Sequence, residues 1–214
     1  MTGIISDNVG RPSGLIKAAS GGGGGVWTLI KTLTSDGSDA TMSFVNGSDD
    51  VVLDSTYPIY RFTFINIHEE TESSNHFTYQ ASTDTGSSYG VTATTTQFFA
   101  GHLEGDNDYL LAYNSSGDQA QSTDFINMNG YDTLGNDNDQ SQSGEVWLFD
   151  PSSTVFIKHF FNMSNWNTNA SGSAVSYGGG YFNTTSAIDA IQFKMKTDDI
   201  QDGKIKMYGL KDSA

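Results

Sequence analysis

The chain has no cysteine, and between Arg61 and Lys158 it has no lysine or arginine. The first absence excludes a disulfide framework, cysteine metal sites and a thiol nucleophile. It leaves the compartment open, because cytosolic assembly and disulfide-free secretion both permit it. The second absence falls on a stretch carrying fourteen Asp and Glu residues. Most of the net charge of -15 therefore lies in one central block. Such a block repels phosphate backbones and anionic lipid, so neither nucleic acid nor membrane is an expected partner. No apolar run approaches the roughly 20 residues needed to span a bilayer. The opening Met1-Thr2-Gly3-Ile4-Ile5-Ser6-Asp7 lacks a basic segment followed by an apolar one, so no signal peptide is read and synthesis in a cytoplasm is expected.

What is present points to a folded β protein. Hydrophobic residues make up only 36% of the chain, yet 12% is aromatic, which a disordered chain would not show. The 214 residues suit one large β domain, or such a domain with an arm. Residues 1–25 read as the arm: turn formers crowd Ser6–Gly14, and Gly21–Gly25 reads as a hinge. Ile4, Ile5, Val9, Leu15 and Ile16 give the arm more apolar content than a linker needs. Arg11 and Lys17 outweigh Asp7, a charge opposite to that of the body. The arm is therefore expected to anchor the protein on a neighbouring subunit, the competing reading being a plain disordered tail.

From Val26 the hydrophobic period is two. Strands are expected at Trp27–Leu33, Thr41–Val45 and Tyr57–Ile67, where Tyr60, Phe62 and Phe64 share one face. Others are expected at His76–Ala81, Val91–Ala100, Tyr109–Tyr113, Phe125–Met128, Val146–Phe149, Val155–Phe161 and Val175–Phe182. Two closing strands, Ile191–Lys196 and Lys204–Met207, are expected to pair through a turn at Asp202-Gly203. No segment sustains a helical period. The expectation is an all-β chain: an antiparallel, jelly-roll-like β-sandwich over residues 26–214, with an extended N-terminal arm. Lys194, Lys196, Lys204, Lys206 and Lys211 are half of the ten basic residues. The first four are expected on the polar face of two adjacent strands, either protecting an edge or meeting the acidic block of another copy.

No reaction chemistry is legible. His68, His76, His102 and His159 have no zinc-site spacing, and hydrolase, Walker and dinucleotide motifs are missing. With 25 carboxylates, no pair stands out as a glycosidase couple. The chain is read as a non-enzyme with no cofactor. Gly105-Asp106-Asn107-Asp108 and Asn136-Asp137-Asn138-Asp139 carry calcium-type oxygen ligands, but neither completes a calcium-loop pattern, and ordinary turns are the favoured reading. Trp166, set among Asn165, Asn167, Thr168 and Asn169, is the candidate ligand-binding residue of a polar loop that could stack on a sugar. Trp27 and Trp147 are assigned to the core.

Three stretches together carry a resemblance. They are Asn8-Val9-Gly10-Arg11-Pro12-Ser13-Gly14-Leu15-Ile16-Lys17, the strand Tyr57-Pro58-Ile59-Tyr60-Arg61-Phe62-Thr63-Phe64, and the close with Ile200, Gly203, Ile205, Lys206 and Tyr208-Gly209-Leu210-Lys211. In this order they resemble a family of small β-rich structural proteins of tailed bacteriophages, common in marine phages. The resemblance implies an external virion protein, assembled in the host cytoplasm and docked through its N-terminal arm. A tail-fibre-like or receptor-facing appendage is the first expectation, capsid decoration the alternative, and a free carbohydrate-binding module a further one. Expected partners are other virion proteins and other copies of the chain, a homotrimer being the guess from size, with host cell-surface glycan as a further partner.

Overall fold

The computed structural model describes residues 26–71, 76–130 and 132–212, and every regular element among them is a β-strand. In chain order these are β1 (Trp27–Thr34), β2 (Met42–Val45), β3 (Ile59–Glu69), β4 (Phe77–Ser82), β5 (Ala93–Leu103) and β6 (Tyr109–Tyr113). They continue as β7 (Ile126–Asn127), β8 (Gln142–Phe149), β9 (Lys158–Thr168), β10 (Gly172–Phe182), β11 (Ala190–Met195) and β12 (Ile200–Leu210). All pairings are antiparallel. One sheet runs β1-β12-β3-β8-β9-β10-β5-β6 and the other β2-β11-β4-β7.

The strand order is that of a jelly roll with two insertions. Without β5, β6, β9 and β10, the sheets read β1-β12-β3-β8 and β2-β11-β4-β7. The pairs β1·β12, β2·β11, β3·β8 and β4·β7 then form one folded antiparallel ribbon, the double Greek key of that architecture. The inserted hairpins β5–β6 and β9–β10 zip to each other through β10·β5 and extend the larger sheet past β8 as a wing.

Phe44, Phe62, Phe64, Phe77, Tyr79 and Phe193 fill the space between the sheets and are buried. Phe193 sits among them, 5.6 Å from Phe62 and 5.8 Å from Phe77 between ring centroids. Under the wing the interior mixes Phe160, Trp166, Ala174 and Phe182 with buried, hydrogen-bonded polar side chains. Gln142 Nε2 donates to Ser164 Oγ at 2.7 Å, Asn129 Nδ2 to Gln142 Oε1 at 3.0 Å, and Gln97 Nε2 to Ser176 Oγ at 3.2 Å. Such a network ties the wing to the segment around Asn129 and specifies its register, provided each member finds a partner.

Several sequence expectations are corrected. Asp202-Gly203 makes no hairpin, because β11 and β12 belong to different sheets. These residues lie inside β12 at irregularities in its pairing with β3. Gly203 has φ +119°, and a Cβ there would lie 2.7 Å from the carbonyl oxygen of Asn66, so only glycine fits this bulge. The four lysines do not share a face: Lys194 and Lys196 belong to the β11 region of the small sheet, Lys204 and Lys206 to β12 of the large one. Both are interior strands, so the lysines protect no edge. Val155 and Phe156 lie before β9, in an exposed loop.

Candidate functional site

Strand β9 alternates without a break between buried and outward residues, from Lys158 to Thr168. That alternation moves Trp166 out of the polar loop expected for it: the residue lies in β9 with 1% of its surface exposed. The asparagines on either side point to solvent and the indole points inward, so a residue that looks wet from its neighbours in sequence is dry in space. The other two tryptophans are the reverse case. Trp27 and Trp147 are only half-buried, on the outer face of the large sheet.

That outer face is aromatic along most of its width. Trp147 packs edge-on to Trp27 at 5.1 Å and stacks on Phe161 at 5.3 Å, and Phe149 lies 5.5 Å from Phe161. The Arg61 guanidinium sits 4.5 Å from the Trp27 ring centroid and 5.2 Å from that of Tyr208, with Glu145 4.0 Å away. On the wing Phe98 stacks on Tyr177 at 5.2 Å. Register explains the continuity: Arg61, Trp147, Phe161, Gly179 and Thr96 form one row across five strands, and Met163, Tyr177, Phe98 and Tyr113 form part of the next.

The row is interrupted at Gly179, and there the surface opens into a slot of about 460 Å³. Its floor is the backbone of Gly179 and Gly180, and its walls include Phe149, His159, Phe161, Tyr181, Thr94 and Thr96. A Cβ on Gly179 would meet only ordinary contacts, 3.5 Å from Phe160 O and 3.7 Å from Phe161 Cβ, so the missing side chain is what leaves the slot open. At Gly180 a Cβ would lie 2.2 Å from Thr94 O, so glycine there permits β10 and β5 to pair closely. Tyr177 and Tyr181 stand four residues apart on the same face, about 13 Å along the strand. The polar groups at the rim are the Thr96 hydroxyl, the His159 imidazole and the Tyr181 hydroxyl, while Thr94 Oγ1 accepts from Gln121 Nε2 at 2.7 Å. His159 and Tyr181 rings lie 6.2 Å apart. A shallow apolar depression with polar groups at its rim suits a flat ligand face that stacks on aromatic rings.

A second hollow of about 430 Å³ opens on the small-sheet side, where Lys194 and Lys196 join Asp118, Asp124 and Phe125. Lys194 Nζ lies 4.6 Å from the Phe125 ring centroid. The acidic block thus meets basic side chains of its own chain here and at Arg61–Glu145. Among the described residues no three His, Cys, Asp or Glu side chains converge as a metal set. Asp106 lies 3.1 Å from His102 Nε2, and Gln140 Oε1 accepts from the Asp137 N–H at 3.0 Å.

The expected anchor residues Ile4, Ile5, Val9, Arg11, Leu15 and Ile16 lie outside the described residues. Phe149, Phe161, Tyr177, Gly179 and Tyr181 were missed by reading the sequence. One signal was available: three glycines bracketed by tyrosines, Tyr177-Gly178-Gly179-Gly180-Tyr181, inside an otherwise strand-forming segment. Compared with protein-family models, curated proteins and solved structures, the chain matches none.

Proposed function

We propose that this chain is a non-catalytic, receptor-facing component of a tailed-phage virion that holds a saccharide in the Gly179 slot. The observation that carries the reading is the slot itself, a flat glycine floor walled by Phe149, Phe161 and Tyr181 on an outward sheet face. A sugar ring presents a flat patch of C–H groups that stacks on aromatic walls, and hydroxyls at its edge that suit Thr96, His159 and Tyr181. The resemblance to phage structural proteins supports placement on the virion surface, and the net charge of -15 suits display at high local density. Jelly rolls serve both capsid proteins and lectins, so the fold agrees with the reading by analogy only.

The test is retention of the purified chain on an array of defined glycans and on surface polysaccharide extracted from the host. Gly179→Val fills the slot and Phe161→Ala removes a wall. Both are expected to abolish binding while leaving the thermal unfolding of the sandwich cooperative. Binding that survives both variants refutes the site. Absence of any glycan binding, together with copies at regular capsid positions in images of the particle, replaces this reading with capsid decoration.

A further inference from the structure

Strand β6 forms one edge of the large sheet, and its residues Tyr109-Leu110-Leu111-Ala112-Tyr113 are unusual for an edge. Tyr109 is 78% exposed, Leu111 74% and Tyr113 62%. Edges are normally blunted by lysine, proline or a bulge. The opposite edge, β1, has Lys31 and a register shift between Leu29 and Lys31. Strand β6 has none of these, and its register with β5 is unbroken from Tyr109 to Tyr113.

The hydrogen bonds at its ends show which way its backbone points. Leu103 N donates to Asp108 O at 3.0 Å, and Asn114 N donates to Gln97 O at 2.9 Å. In an antiparallel ladder the bonding direction alternates, so Leu110 and Ala112 also face β5, while Tyr109, Leu111 and Tyr113 direct their N–H and C=O groups to the open edge. Among the described residues no strand pairs with that edge.

We propose that a second copy of this chain pairs there, β6 against β6, antiparallel about a two-fold axis through Leu111. The side-chain pattern is nearly the same read in either direction, as a two-fold contact requires. Leu111 meets Leu111 of the second copy, Tyr109 meets its Tyr113, and Leu110 meets its Ala112. Every residue with free backbone groups then faces another, which gives six new backbone hydrogen bonds. The side chains covered amount to a few hundred Å² per copy, below the roughly 800 Å² per partner of a standard interface, so the dimer is of moderate affinity. The loop bearing Glu104, Asp106 and Asp108 comes to lie beside the segment of the other copy that leads to Asp118. Those like charges repel, so added salt tightens the dimer, the opposite of a lysine–carboxylate contact. The pairing is two-fold, unlike the trimer expected from size. The axis is perpendicular to the sheet and keeps both outer faces on one side. If the saccharide reading holds, two Gly179 slots then stand five strand spacings apart across the sheet and about eight residues apart along the strands, roughly 36 Å in all, and engage one long glycan together.

The full chain, free of cysteine, allows a register-specific test. Paired residues of this type have Cα atoms about 5.5 Å apart, within disulfide reach. Under oxidation Leu111→Cys is expected to form a covalent dimer. Tyr109→Cys alone is not, but a mixture of Tyr109→Cys and Tyr113→Cys is. In sedimentation equilibrium Leu111→Lys is expected to weaken self-association by about tenfold or more, and salt to strengthen that of the unaltered chain. A chain that stays monomeric up to about 1 mM, a Leu111→Lys dimer of unchanged affinity, or Tyr109→Cys linking to itself as readily as Leu111→Cys overturns the proposal. A monomer that binds glycan removes the pairing and keeps the slot, whereas a cross-linked dimer that binds none does the reverse.

Discussion

Replacing Lys158 with methionine isolates one buried cation whose work can be estimated from its contacts. Lys158 opens β9 and has no exposed surface. Its Nζ donates to Ser153 O at 2.5 Å, Phe156 O at 2.9 Å and Thr184 O at 3.1 Å, which uses all three ammonium donors. Burial pulls the ammonium's pKa below its ordinary value, and the Asp150 carboxylate pulls the other way. Methionine keeps an unbranched stem of similar length and removes charge and donors together. Hydrogen bonds to a charged group contribute about 1.5–3 kcal/mol each, so three set a ceiling of roughly 5–9 kcal/mol. Methionine avoids desolvating an ion, which returns several kcal/mol. The net expected loss is about 2–4 kcal/mol, and for a chain of this size each kcal/mol moves Tm by about 2–4 °C. Scanning calorimetry at pH 7 should therefore show Tm falling by roughly 5–15 °C. Glycan binding should weaken as well, because His159 and Phe161 follow on the same strand. A Tm within about 2 °C of the unaltered chain would refute the view that this clasp holds the 153–156 loop and the end of β10 together.

Gly180→Ala places a methyl 2.2 Å from Thr94 O and 3.0 Å from Thr95 Cα, so backbone must move between β10 and β5. A loss of about 1–3 kcal/mol in denaturant unfolding is expected, whereas Gly179→Ala should be tolerated. An Ala at 180 as stable as glycine would show that the wing strands are not closely paired there. The Asp84 carboxyl, which accepts from Ser82 Oγ at 2.6 Å and from Ser88 N at 2.9 Å, is held at about 2, below the ordinary 3.8. A depressed acid pKa stabilises the fold above the unfolded value, and that contribution disappears as pH falls through the folded one. Asp84→Asn should therefore lower Tm at pH 7, with the difference shrinking between about pH 4 and pH 2, and a difference independent of pH would contradict the assignment.

Much of the architecture was legible because a half-buried strand declares itself by a period of two. Tyr60, Phe62 and Phe64 of the expected strand Tyr57–Ile67 share a buried face in β3 up to the irregularity at Asn66, and Tyr109–Tyr113 has the expected ends. All-β class and antiparallel sandwich follow from such patterns, since each strand must bury one face. Short-range pattern does not say which strand lies beside which. Asp202-Gly203 looks like a hairpin turn and is a bulge, because β12 returns to the large sheet after β11 has served the small one. The four lysines alternate as a single polar face would, and the same crossing divides them between two sheets.

The candidate site was the least legible part, for the same reason. Trp166 looks wet from its neighbours in sequence, but its environment is set by partners such as Gln142 and Ala174 across β8 and β10. Phe161, Gly179 and Thr96 are far apart in the chain and adjacent in one row only after two inserted hairpins have zipped together. Local residue order is enough to set the strand period and the acidic charge of the whole. The tertiary structure alone decided that an aromatic face is left turned outward, with a glycine gap at its centre. Registry between strands is long-range, and a single residue's period carries no record of its neighbours.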